Sequence, residues 1–120
     1  MVLFNPALVL APIDLLPVPL EGFIARAPEE RWGTAPRNLS PAHHVKPGTP
    51  PTIIVHGKAD ETVPYATAEA FQRLMQAAGN RCDLVGYEGQ GHAFFNFGSF
   101  DETVADMDKF LVSLGWLRAR

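Results

Sequence analysis

From Thr52 to Tyr87 the chain reads as strand, helix, strand, and this order narrows the possible folds sharply. TIIVHG (52–57) is apolar and β-branched and runs into a glycine, the pattern of a buried strand. Pro64 then sets up a helix expected over residues 66–78. Phe71, Leu74, Met75 and Ala78 fall at i, i+3, i+4 and i+7, which makes one apolar stripe. Gly79-Asn80 stops that helix, and CDLVGY (82–87) follows as a second strand. Two strands joined through one helix run parallel, with a right-handed crossover. Parallel sheets need cover on both faces, so more helix must pack nearby.

The flanking sequence supplies the remaining elements. MVLF (1–4) reads as another buried strand, closed by Asn5-Pro6. Residues 6 to 51 hold all but one of the eleven prolines, so irregular backbone is expected there. Residues 8–28 mix apolar side chains with proline, as a surface excursion or lid would. SPAHHV (40–45) reads either as a short helix start, with Ser40 as N-cap and Pro41 in the first turn, or as a plain turn. EGQGHAFFNFGSF (88–100) is a loop rich in glycine and aromatics. Asp101 is expected to cap a last helix to about Leu114, with Val104, Met107, Leu111 and Leu114 on one face. The expected class is α/β: a small parallel sheet of about three strands flanked by helices, with a Pro-rich excursion after the first strand. One domain is expected, with strand and excursion over 1–51 and the remaining unit over 52–120.

Charge and composition exclude several functions. The net charge is −3 and the basic residues are scattered, so no stripe matches nucleic acid or anionic lipid. Pro6, Pro12, Pro17 and Pro19 break the apolar N-terminal stretch, which rules it out as a membrane helix. That stretch also lacks the basic residues that open a signal peptide. Cys82 is the only cysteine, so no internal disulfide forms. A reducing, cytoplasmic setting is the expectation that follows.

The chemistry concentrates at two strand ends. In parallel sheets, sites gather beyond the carboxyl ends of the strands. Asp60 lies just past one such end and His92 just past the next. Neighbouring strands sit about 4.8 Å apart, so the two side chains can meet. A carboxylate bonded to one imidazole nitrogen fixes the tautomer and stabilises the imidazolium formed at the other. Each residue also has a plainer reading, since Asp shapes turns and a loop His is ordinarily solvated. Phe94, Phe95 and Phe97 could line a pocket beside His92 or serve as core. Cys82 heads an apolar strand, which favours packing over reactivity. His43-His44 point in different directions and lack a third ligand at matching spacing, so no metal site is expected.

The segment PPTIIVHGKADETVPYATAEAFQRLMQAAGNRCDLVGYEGQGHAFFN resembles the C-terminal part of α/β-hydrolase esterases. The likeness is to the acetyl- and feruloyl-type carbohydrate esterases and dienelactone-hydrolase-like proteins. H-G-x-x-D-x-x-V-P matches at His56, Gly57, Asp60, Val63 and Pro64, and G-x-G-H-x-F at Gly89, Gly91, His92 and Phe94. VLFNP resembles the strand after the nucleophile helix of that group. The resemblance implies a partial α/β-hydrolase fold, with Asp60 as triad acid and His92 as general base. It implies a small-molecule ester as substrate and no cofactor. That fold orders its triad Ser, acid, His, with the serine in a G-x-S-x-G turn. No such turn occurs here, and the serines are Ser40, Ser99 and Ser113. The chain therefore reads as a truncated esterase domain that carries acid and histidine without the nucleophile. The alternative is a non-catalytic remnant that binds a partner or self-associates as a dimer through an exposed sheet edge.

Overall fold

The central strand of the sheet is buried at every residue, and the rest of the fold is arranged around it. The computed structural model describes residues 1–14, 16 and 32–119. Strand β1 is Val2–Phe4, β2 is Thr52–Gly57 and β3 is Cys82–Tyr87. Helix α1 is Pro36–Leu39, α2 is Tyr65–Ala77 and α3 is Phe100–Ser113. Single 3-10 turns occupy Pro41–His44 and Phe94–Asn96. The sheet order is β1-β2-β3 and both pairings are parallel, as the single-helix crossover from β2 to β3 requires of that pair. Leu3 lies opposite Ile54, and Ile54 opposite Leu84.

Alternation along β2 divides the core into two layers. Ile54 faces Leu8, Val9, Phe71 and Met75, so α2 covers that side. Ile53 and Val55 face Phe94 and Phe110, so α3 covers the other. Helix α2 ends as expected. Gly79 takes φ 80°, its N–H bonds Gln76 O, and the Asn80 N–H bonds Met75 O at 2.9 Å. These are the paired bonds of a Schellman stop.

Four local readings need correction. Asp101 does not cap α3; Ser99 holds the cap position without a side-chain bond, and Asp101 lies in the first turn. Its charge there still faces the positive end of the helix. The buried line of α3 also shifts by one residue, to Thr103 and Phe110, with Leu111 and Leu114 partly buried. Phe110 has the greater apolar area to bury, and Thr103 can be buried because its hydroxyl bonds Phe100 O at 2.9 Å. Ser40 precedes a 3-10 turn as read, yet it does not cap it. Its Oγ instead accepts the Leu10 N–H at 3.0 Å and meets His43 Nδ1 at 2.8 Å. Finally, Leu8, Val9 and Ala11 are buried, so the expected excursion begins as core. Most of the remaining expected lid lies outside the described residues.

Candidate active site

Asp60 serves both as a turn former and as a partner, using one oxygen for each. Its Oδ1 accepts the backbone N–H groups of Thr62 and Val63, both at 2.8 Å, which folds the loop after β2. Its Oδ2 faces the His92 ring, with Nδ1 at 2.9 Å. Asp60 is 7% exposed, whereas the His92 side chain is 41% exposed. The pair therefore has a buried acid end and an open base end. His92 Nδ1 donates to the carboxylate, which leaves Nε2 on the ring as an acceptor.

The two loops meet because Gly57 has no side chain. A Cβ placed there would lie 2.2 Å from Gln90 O and 2.7 Å from Gly91 O. The Ala59 N–H bonds Gln90 O at 2.9 Å across the same junction. Gly57→Ala is therefore expected to destabilise the chain by about 1–3 kcal/mol, since backbone must move to admit the methyl group. Urea denaturation of the two proteins measures this, and equal midpoints would contradict the packing described.

Burial alone would raise the Asp60 pKa. The Val63 N–H, His92 and the Thr62 N–H outweigh it, so the acid lies below its ordinary value. His56, which the sequence reading matched in a motif without a role, lies on the inner side. Its Nε2 donates to Val63 O at 2.8 Å and sits 3.3 Å from Asp60 Oδ2. Its Nδ1 is buried and has no partner among the described residues. Desolvation holds the His56 pKa below its ordinary value, against the opposing pull of the Val63 carbonyl and Asp60.

Both shifts carry the same sign for stability. A lowered folded pKa means the unfolded chain binds more protons as the solution turns acid. Stability is then present at neutral pH and lost on acidification, first through His56 below its ordinary value of 6.5 and then through Asp60 below 3.8. The thermal midpoint is expected to fall between about pH 7 and pH 5, and His56→Gln to flatten that slope. A slope unchanged by the substitution would show that His56 is not the group involved.

A second residue that the sequence reading did not assign to the site is Asn5. It directly follows β1 and is 5% exposed. Its Nδ2 reaches Asp60 Oδ2 at 3.1 Å and Gly91 O at 3.2 Å. A polar side chain just past a strand end, on the rim where Asp60 and His92 also lie, was the available signal.

Phe94 is buried beneath α3, with its ring 4.9 Å from that of Tyr87. Phe95 is partly buried against Phe4, ring centroids 5.1 Å apart. Burial pushes the Cys82 thiol up to about 11, away from thiolate chemistry. His43 bonds Ser40 and His44 bonds Asn38 O. Among the described residues no three His, Cys, Asp or Glu side chains gather as metal ligands would. No described helix is long and apolar enough to cross a membrane.

Three parallel strands with helices on both faces, carrying an acid loop and a histidine loop at one rim, define an esterase-like α/β-hydrolase fold. The sequence profile of the prolyl oligopeptidase family matches residues 25–115, and the chain belongs to that family. Among solved structures, esterase 2 of Thermogutta terrifontis with butyrate bound is 45% identical, with a TM-score of 0.85. That match covers 99% of this chain and 45% of the esterase. The same esterase phosphonylated by sarin is 43% identical at a TM-score of 0.84, covering 99% and 45% of the two chains. A Methylorubrum extorquens protein named for carboxymethylenebutenolidase activity is 41% identical over 44 residues, 37% of this chain and 15% of that protein. The chain thus spans less than half the length of the relatives it matches.

Proposed function

We propose that this chain supplies the acid and the general base of a carboxylic ester hydrolase. The observation that carries the reading is the bond of 2.9 Å between exposed His92 and buried Asp60. In the proposed reaction a serine hydroxyl oxygen attacks the ester carbonyl carbon. Its proton passes to His92 Nε2, and Asp60 stabilises the imidazolium that results. His92 then returns the proton to the leaving alkoxide, which leaves an acyl-serine. Water repeats the sequence and releases the acid.

The serines of this chain are poorly suited to the attack. Ser40 is fully buried, with its Oγ bonded to Leu10 and His43. Ser113 Oγ donates to Phe110 O at 2.6 Å and accepts Arg81 at 2.8 Å. Ser99 opens α3 and lacks the strand-to-helix turn. The reading therefore assigns the nucleophile to a segment other than these residues. Binding of butyrate by the Thermogutta esterase supports a short acyl group in the substrate. Phe95, partly buried beside the histidine loop, is the aromatic proposed to flank it.

In this chain alone the His92–Asp60 pair is expected to act as a general base on water, and the test offers a chromogenic butyryl ester to wild type and to His92→Ala. Matching rates reject the assignment. A fluorophosphonate probe is expected to label none of the three serines, and an adduct on any of them would place the nucleophile inside this chain.

One observation favours a second reading, assembly through β1. Among the described residues this strand pairs only with β2, so its outer edge is open. A second copy pairing along that edge would cover it. Light scattering after size exclusion decides this: a monomer at micromolar concentration counts against it.

A further inference from the structure

We propose that Asn5 is the positioning residue of the Asp60–His92 pair, an inference that rests on reading that pair as catalytic acid and base. Its amide spends both protons on the site. One goes to Asp60 Oδ2 and the other to Gly91 O, the carbonyl directly before His92. Asn5 thus touches both ends of the bond that orients the imidazole. The Asp60 loop fixes Oδ1 by itself through Thr62 and Val63, but those bonds do not reach the histidine loop. The Ala59–Gln90 bond joins the loops through backbone alone and does not touch the carboxylate. Among the described residues, only the Asn5 side chain bonds both the acid and the histidine loop.

Two costs accompany this placement. Asn5 has φ 45°, and Ala93 on the far side of His92 has φ 56°; they are the two non-glycine residues with positive φ among those described. Left-handed backbone is unfavourable for residues with a Cβ, least so for Asn. Asn5 Oδ1 is also buried without a partner among the described residues, which opposes folding. An apolar residue would avoid the second cost, and glycine would avoid both. What asparagine alone supplies is the pair of N–H donors. Its backbone is held in place as well, since the Asn5 N–H bonds Val55 O at 2.8 Å and extends the β1–β2 ladder.

The test follows the His92 ring by 15N NMR in the 120-residue chain, comparing wild type with Asn5→Gly and Asn5→Asp. Asn5→Gly suits left-handed backbone and removes the donors. Asn5→Asp keeps shape and volume but turns donors into acceptors. Wild type is expected to hold the neutral ring with its proton on Nδ1. Both variants are expected to raise the Nε2–H tautomer several-fold, Asn5→Asp the more, while the methyl signals of Ile53 and Val55 stay dispersed. A purely structural role would leave the tautomer unchanged in Asn5→Gly. A wild-type ring spectrum from either folded variant overturns the proposal. If wild type turns over no ester, the catalytic reading fails on its own, and the ring spectra still decide whether Asn5 positions the pair.

Discussion

Asp60→Ala is expected to destabilise the chain by about 3 kcal/mol or more, because two backbone N–H groups and the side chains of Asn5 and His92 lose an acceptor together. Each buried donor left unpaired costs about 1–3 kcal/mol, and a whole domain has only about 5–15 kcal/mol to lose. The penalty arises from desolvation, so it should persist in high salt, unlike that of a surface ion pair. Asp60→Asn separates the two oxygens. Its carbonyl can keep Thr62 and Val63, while its NH₂ must face the Asn5 and His92 donors. It should recover part of the stability and still leave His92 wrongly held. Urea denaturation measures both variants. A loss under about 0.5 kcal/mol for Asp60→Ala, the ordinary scatter of surface changes, would mean that the network contributes nothing.

His92→Ala is expected to show the opposite profile. With 41% of its side chain exposed and one bond into the protein, its removal should change stability by no more than about 0.5 kcal/mol. Ester turnover should fall by roughly 10²–10⁴-fold, the usual contribution of a general base. The comparison matters because an unfolded variant also loses activity. Only a protein that melts like wild type and no longer hydrolyses the ester assigns the chemistry to the ring. Butyryl ester kinetics beside a thermal melt supply both numbers.

What the sequence discloses follows from how local each signal is. β2, α2 and β3 depend on apolar spacing within short windows, and they fall within a residue of where that spacing puts them. Asp60 and His92 were legible because the strand-end rule converts sequence position into place in space. Asn5 and His56 were not. Asn5-Pro6 reads locally as the end of a strand, and its value depends on residues brought beside it from far along the chain. His56 sits inside an apolar run, where only the finished turn supplies a carbonyl for its ring. Ser40 misled for the same reason. Its local pattern is that of a cap, but its hydroxyl is taken by the distant Leu10 N–H. The stripe on α3 shifted because periodicity finds a face only to within one residue, and the large ring of Phe110 decided which.

The connection between β2 and β3 is roughly half as long as that between β1 and β2, and each doubling of a loop adds about 0.6 kcal/mol to the entropy of closing it. β1 also brings only three residues to its ladder. During folding, the later strands should thus find each other first, and the N-terminal strand should join a half-built sheet. Acid and imidazole would then meet in a loose form, and the arrival of the first five residues would be the step that makes their geometry permanent.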